Sequence, residues 1–205
     1  MDGSRCAVLA LHWQVNVIEP EGFFGGMLAE PVARSGVVER AARFHAAAAE
    51  AGAELVFTRF TVPAGGGELV RNTGFMRAVD DARESFRPDS PGSALIAAMA
   101  DQPDLVVDNQ KLSGLAGGDL ADRLRARDIG TLLITGVATN LTVEQTARHA
   151  TDLGFHVHVV RDCVAAADET AHEASLAALE LTTAGCRTAD DAVRLLAAGG
   201  GPLIR

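Results

Sequence analysis

Short apolar runs alternate with helical patterns along this chain, and few folds accommodate that order. The runs that read as buried strands are Ala7–Leu11, Glu54–Thr58, Leu105–Val107, Thr131–Thr135, His156–Val160 and a weaker Gly185–Thr188. Between them lie helical patterns over Val32–Ala51, Pro91–Ala100, Asp119–Arg127, Asn140–Leu153, Glu169–Ala184 and Ala189–Ala198. Gly52 suits the position after a helix, and Ser90 suits an N-cap. Strands separated by helices imply βαβ crossovers and a parallel sheet. Strands apolar on both faces imply helices on both sides. The expectation is a three-layer α/β/α, Rossmann-like fold with a six-stranded, mostly parallel sheet. No repeat or linker divides the chain, so residues 1–205 are expected to form one domain.

Two stretches break the alternation. Residues 18–30 hold Gly22, Phe23, Phe24, Gly25 and Gly26, and residues 60–89 hold Gly65, Gly66 and Gly67. Each follows a strand, so each is expected to be a lid-like loop at the C-terminal edge of the sheet. Gly199-Gly200-Gly201 opens a stretch to residue 205 that reads as a frayed tail.

In an open α/β sheet, ligands bind outside the carboxyl ends of the strands. That rule nominates His12–Asn16, Arg59, Asp108–Lys111, Gly136–Thr142, and Asp162 with Cys163. Arg59 can hold a carboxylate bidentately or form a surface ion pair. Trp13, Phe23 and Phe24 can line a pocket or fill the core.

The formal charge of −9 and the interleaving of arginines with acids give no basic patch for nucleic acid. The three cysteines, Cys6, Cys163 and Cys186, form no CxxC and read as buried, reduced thiols. With no leader h-region and no apolar run of membrane-spanning length, a cytoplasmic protein is expected.

The turn Gly136-Val137-Ala138-Thr139-Asn140-Leu141-Thr142 carries the most chemistry. A strand ends, a glycine permits a tight turn, and Thr139 or Asn140 can cap the next helix. Thr142 then falls in a first turn whose free N–H groups suit an anion or oxyanion. The other reading is a capped helix in which Thr142 only hydrogen-bonds its own turn.

Continued to Ala147, this segment resembles the signature of the isochorismatase-like, or cysteine hydrolase, superfamily, roughly G-V-x-T-[DN]-x-C-V-x-x-T-A. Ala7–Gln14 resembles that family's first strand and its D-x-Q end. Lys111-Leu112-Ser113-Gly114 with Asp119-Leu120 resembles its K-x-x-S segment. Val159–Cys163 with His172 resembles its later V-x-D-A/C…H segment. The match runs in order over about residues 6–188.

The resemblance implies a triad of Asp, Lys and Cys, which maps onto His12, Lys111 and Thr142, so only the lysine is retained. A threonine hydroxyl is a far weaker acid than a thiol and needs a positioned base, a part open to His12. Some relatives need no thiol and cleave a vinyl ether by protonation, and here His12 would be the acid. The family's peptide at Val137–Ala138, often cis, would help form an oxyanion hole. Gln14, Arg59, Val137, Ala138, Asn140 and Leu141 are the expected substrate-binding residues. Nicotinamidases carry an Asp and two histidines after the second strand, where this chain has Phe57–Pro63. No metal and no cofactor are therefore expected. His156 and His158 share a strand face without a third ligand.

Three functions follow as expectations. One is a hydrolase of a small amide, urea or vinyl ether that works without a cysteine nucleophile. Another is a catalytically silent member that binds a small ligand or protein partner in the same pocket. The third is an interaction protein. A homodimer or higher homo-oligomer is expected, with neither nucleic acid nor a membrane as partner.

Overall fold

A computed structural model describes residues 3–198. The strands are β1 (Cys6–Leu11), β2 (Glu54–Phe60), β3 (Leu105–Asn109), β4 (Thr131–Val137), β5 (His156–Ala165) and β6 (Cys186–Arg187). They form one six-stranded sheet in the order β3-β2-β1-β4-β5-β6, and every pairing between them is parallel. The chain lays strands outward from β1 to β3, then returns to β1's other side with β4. The β1–β4 seam is therefore the topological switch point, outside whose carboxyl ends ligands bind in such sheets.

The helices are α1 (Val15–Ile18), α2 (Gly25–Ser35), α3 (Val37–Glu50), α4 (Gly74–Asp81), α5 (Leu120–Ala126), α6 (Glu144–Asp152), α7 (Glu169–Thr182) and α8 (Ala189–Ala197). Alternate residues of β1 divide between two buried clusters. Val8 and Ala10 face Val32, Phe44, Ala48 and Leu196, from α2, α3 and α8. Leu9 and Leu11 face Leu124, Ala147 and Leu179, from α5, α6 and α7. Fully burying such a leucine or valine contributes roughly 1.5–3 kcal/mol. This is the expected α/β/α sandwich.

Three helical expectations need correction. The pattern over Val32–Ala51 is two helices, because Gly36 adopts φ 63° and ends α2 in a left-handed cap. The Pro91–Ala100 pattern is only two short 3-10 turns, Pro91–Ser93 and Ala97–Met99. Its middle is held extended: Val15 N–H donates to Ala94 O, and Ile96 N–H donates to Trp13 O, each at 3.0 Å. Ser90 does not cap; its hydroxyl donates to Ser85 O at 2.6 Å. Neither Thr139 nor Asn140 caps the sixth helix, because a π turn over Thr139–Val143 precedes it.

Neither stretch expected as a loop is structureless. Helix α2 begins inside residues 18–30. Residues 60–89 contain α4, capped by Thr73, whose hydroxyl oxygen accepts from Met76 N–H at 3.1 Å. Phe60, Val62, Met76, Val79 and Phe86 cluster beneath this segment. The buried Asp80 carboxylate is held by Arg71 at 2.8 Å and Arg83 at 3.0 Å. The expected frayed tail at 199–205 lies outside the described residues. Among the described residues no helix is long and apolar enough to cross a membrane.

Candidate functional site

Two strand ends meet at the switch point. On β1's side the chain leaves Leu11 through His12, which takes φ 56°, a left-handed conformation uncommon for a side chain larger than glycine. Its N–H donates to Thr58 O at 3.1 Å, so it still pairs with β2. On β4's side, Gly136 lies opposite Leu11 in the parallel register. Gly136 has φ 137°, and a Cβ there would overlap the Leu11 carbonyl oxygen. The Val137–Ala138 peptide is cis. Both Leu141 N–H and Val143 N–H then donate to Ala138 O at 3.2 Å.

A cavity of about 40 Å³ occupies this crevice. His12, Val137, Ala138, Leu141 and Thr142 form its floor side, with Leu112 beside them. Val17, Phe24, Met27, Leu28 and Phe75 complete the wall from α1, α2 and α4. The Phe24 and Phe75 rings stack at 5.4 Å with 5° between planes, and Phe24 packs on Phe23 and Phe86. Aromatic residues of the two stretches expected as lids thus meet over the crevice.

His12 is 6% exposed, and its Nε2 is buried without a partner. Burial disfavours the imidazolium and lowers its pKa from 6.5 to about 4, so the ring is neutral at pH 7. Phe60 sets its ring edge against it at 6.1 Å. The Thr142 hydroxyl, also buried, donates to Leu112 O at 2.7 Å.

His12, Thr142, Val137, Ala138 and Leu141 are brought together as the sequence suggests. Lys111 is not. The chain's single lysine lines a different, larger hollow of about 650 Å³ with Gln110, Arg148, His149 and Asp152, and its ammonium donates to Glu68 O. Leu112 lines both hollows. The expected catalytic trio therefore has two members in the cavity and one outside it. Gln14 is occupied elsewhere. Its amide donates to Phe60 O and Ser93 O at 3.1 Å and accepts from Phe60 N–H at 2.7 Å, tying β2's end to the 91–96 segment. Arg59 makes a bidentate pair with its β3 neighbour Asp108, at 2.8 and 2.9 Å. Asn140 is exposed. Thr139 pairs its hydroxyl with His172 Nδ1 at 2.9 Å. Sequence reasoning missed Leu112, Val17, Met27, Leu28 and Phe75, which carry no chemical signature and reach the cavity only through the fold.

Trp13 is core. Its indole N–H donates to Thr135 Oγ1 at 3.4 Å, and that hydroxyl also meets His45 Nε2 at 2.9 Å. His45 Nδ1 reaches Gln102 Oε1 at 2.9 Å. Burial lowers the His45 pKa to about 4, opposed by the hydrogen bond that the ring makes to Gln102.

Glu169, His172 and Glu173 place ligand atoms within 4.8 Å of one another on the first turns of α7. His172 Nδ1 is already engaged by Thr139, and both carboxylates are exposed, so the trio reads as an ordinary acidic helix face. His158 Nδ1–H donates to Gly185 O at 3.1 Å. Burial pushes the Cys163 thiol up to about 12 and the Cys186 thiol up to about 11. Neither is a thiolate at neutral pH. Iodoacetamide at pH 8 is expected to modify them only on unfolding, and rapid native alkylation by mass spectrometry would refute this.

The profile of the isochorismatase domain matches residues 6–191. An uncharacterized isochorismatase family protein, YecD of Escherichia coli O157:H7, is 35% identical over 77 residues, 38% of this chain and 41% of that protein. The chain thus spans about two-fifths of that relative's length. The maleamate amidohydrolase of Pseudomonas putida is 30% identical over 164 residues, 78% of this chain and 74% of that one. The crystal structure of a cysteine hydrolase from Pseudomonas syringae pv. phaseolicola superposes with a TM-score of 0.84 at 25% identity, covering 98% of this chain and 96% of that one. With the profile spanning nearly every element and an amidohydrolase aligned over most of its length, the chain belongs to the isochorismatase family.

Proposed function

We propose that this chain is a small-molecule-binding member of its family that does not use the covalent hydrolase route. One observation carries the reading: the Thr142 hydroxyl donates its proton to Leu112 O at 2.7 Å. A nucleophilic hydroxyl must hand its proton to a base in hydrogen-bond reach. His12, the only basic group lining the cavity, makes no such bond, and its Nε2 stands unpartnered. Lys111 lines the other hollow, and its ammonium is engaged by Glu68 O.

A second reading keeps His12 as a general acid for a small amide, urea or vinyl ether. It draws support from His12 being the one titratable side chain in the cavity. With a pKa of about 4, however, the acid form is only about one molecule in a thousand at pH 7.

A hydrolysis screen separates the two. Small amides, ureas and vinyl ethers, maleamate among them, are expected to show no turnover above buffer at pH 7, while a subset of small molecules raises the melting temperature. Thr142→Ala is expected to keep that binding and to lose about 1 kcal/mol of stability with its hydrogen bond. Turnover that increases toward pH 4 and disappears in His12→Phe would establish the acid reading instead.

A further inference from the structure

We infer that the hollow at the carboxyl end of β5 is a second binding site, which takes a small molecule bearing a phosphomonoester group. The hollow measures about 330 Å³ and shares no lining residue with the crevice. That size is at the lower end of pockets that hold small molecules. The end of α2, the start of α3, the 161–167 segment and the start of α7 enclose it. It lies outside the carboxyl end of a strand, where ligands bind in such sheets. Buried Val164 and Ala165 line it, and so do Arg34, Arg40 and Arg161. Three arginines meet two carboxylates there, Asp162 and Glu169, in a chain whose formal charge is −9.

The partners of these groups decide what the hollow can hold. Arg40, half-buried, is fastened through its Nε, which donates to Asp162 O at 2.9 Å. Its two terminal amino groups have no partner among the described residues. Arg161 makes neither a hydrogen bond nor an ion pair among the described residues. Asp162 gives its Oδ1 to Ala189 N–H at 2.8 Å and pairs with neither arginine. Arg34 is exposed and pairs with Glu30 of its own helix at 2.5 Å, so it belongs to the rim. Two guanidiniums without a counter-ion therefore border one hollow, and one of them is held in place before any ligand arrives. A carboxylate has two oxygens, which a single guanidinium fork engages. A phosphomonoester presents three oxygens and nearly two charges on one compact group, enough for both forks. Val164 and Ala165 give its carbon skeleton an apolar surface.

Titration calorimetry of the full chain at pH 8 with glycerol 3-phosphate, glycerate and glycerol tests the inference, since the three share a carbon skeleton and differ in charge. Glycerol 3-phosphate is expected to bind at least about tenfold more tightly than glycerate, the worth of one hydrogen bond to a charged group, and glycerol is expected to give no heat. Arg40→Met and Arg161→Met are each expected to weaken the phosphate ester at least about tenfold. Arg77→Met removes an exposed arginine of α4 that also lacks an ion pair, and is expected to change nothing. Glu169→Gln removes the opposing charge of an exposed carboxylate and is expected to tighten binding about threefold. That gain cannot come from a protein that has failed to fold. Glycerate binding as tightly as glycerol 3-phosphate overturns the inference, as does the absence of heat from the phosphate ester at millimolar concentration. So does a loss in Arg77→Met equal to that in Arg161→Met, which would mark a diffuse surface attraction, or weaker binding in Glu169→Gln.

Discussion

Between pH 6.5 and pH 4 the protein is expected to lose about 5 kcal/mol of folding stability through His12 and His45 alone. Burial is the first cause in both cases, and each pKa falls from 6.5 to about 4. At about 1.4 kcal/mol per unit, the fall from 6.5 to about 4 corresponds to somewhat over 3 kcal/mol for each ring over its whole titration, about three quarters of it between pH 6.5 and pH 4. The direction follows from proton binding. In this window the unfolded chain takes up protons that the folded chain refuses, so acid favours unfolding. The contribution is complete above the unfolded pKa and is lost as pH falls through the folded one. Domains are commonly stable by only 5–15 kcal/mol, so this loss alone brings the protein close to unfolding near pH 4. Urea denaturation at pH 7 and pH 4.5 reads it directly. His45→Gln is expected to lower the stability at pH 7, by breaking the contact to Thr135, yet to remove about half of the pH dependence. An unchanged slope in that variant would mean that His45 is not held neutral.

Gly136→Ala is expected to cost about 3 kcal/mol or more and to abolish ligand binding in the crevice. Two effects add at this position. An L side chain at φ 137° occupies a region that essentially only glycine adopts. The new methyl would also overlap the Leu11 carbonyl oxygen, which belongs to the neighbouring strand and cannot move aside without opening the β1–β4 seam. Overpacking elsewhere is relieved by side-chain rotation; here backbone meets backbone. Thermal denaturation gives the stability change, and the melting-temperature shift produced by the small molecules that stabilise the wild type gives the binding change. A stable Gly136→Ala protein that binds normally would show that the seam is looser than its geometry indicates.

Much of this architecture was legible in the sequence because strand periodicity is local. Each of the six apolar runs became a strand, extended most at β5, which continues past Val160 to Ala165, while β6 is shorter than its run. The Val32–Ala51 pattern concealed a break, since the helical period tolerates a single glycine whose left-handed conformation only the neighbouring turns decide. The Pro91–Ala100 segment looked helical because its pairing partners, Trp13 to Val15, lie about eighty residues away. The same distinction holds at the site. His12 and the Val137–Thr142 turn were readable because they follow strands directly. Lys111 also follows a strand, β3, but that strand is at the sheet's edge, two positions from the switch point. Arg59 was readable as a cation at a strand end, but not as the partner of Asp108, because that pairing requires the β2–β3 register. The aromatic cover was half visible: Phe23 and Phe24 stood out, while Phe75 lies in α4, a helix of only eight residues inside a stretch read as a loop.

The Thr142–Leu112 bond has a consequence for how this branch of the family can change. A thiol is a poor hydrogen-bond donor, so a cysteine at 142 could not fasten the β4–α6 turn to the 110–113 segment as the hydroxyl does. The position that the sequence resemblance matches to a cysteine thus serves here as a fastener, in line with the general opposition between stable packing and poised chemistry. Placing a thiol there would mean loosening a joint first, so Thr142→Cys is expected to yield a weaker scaffold.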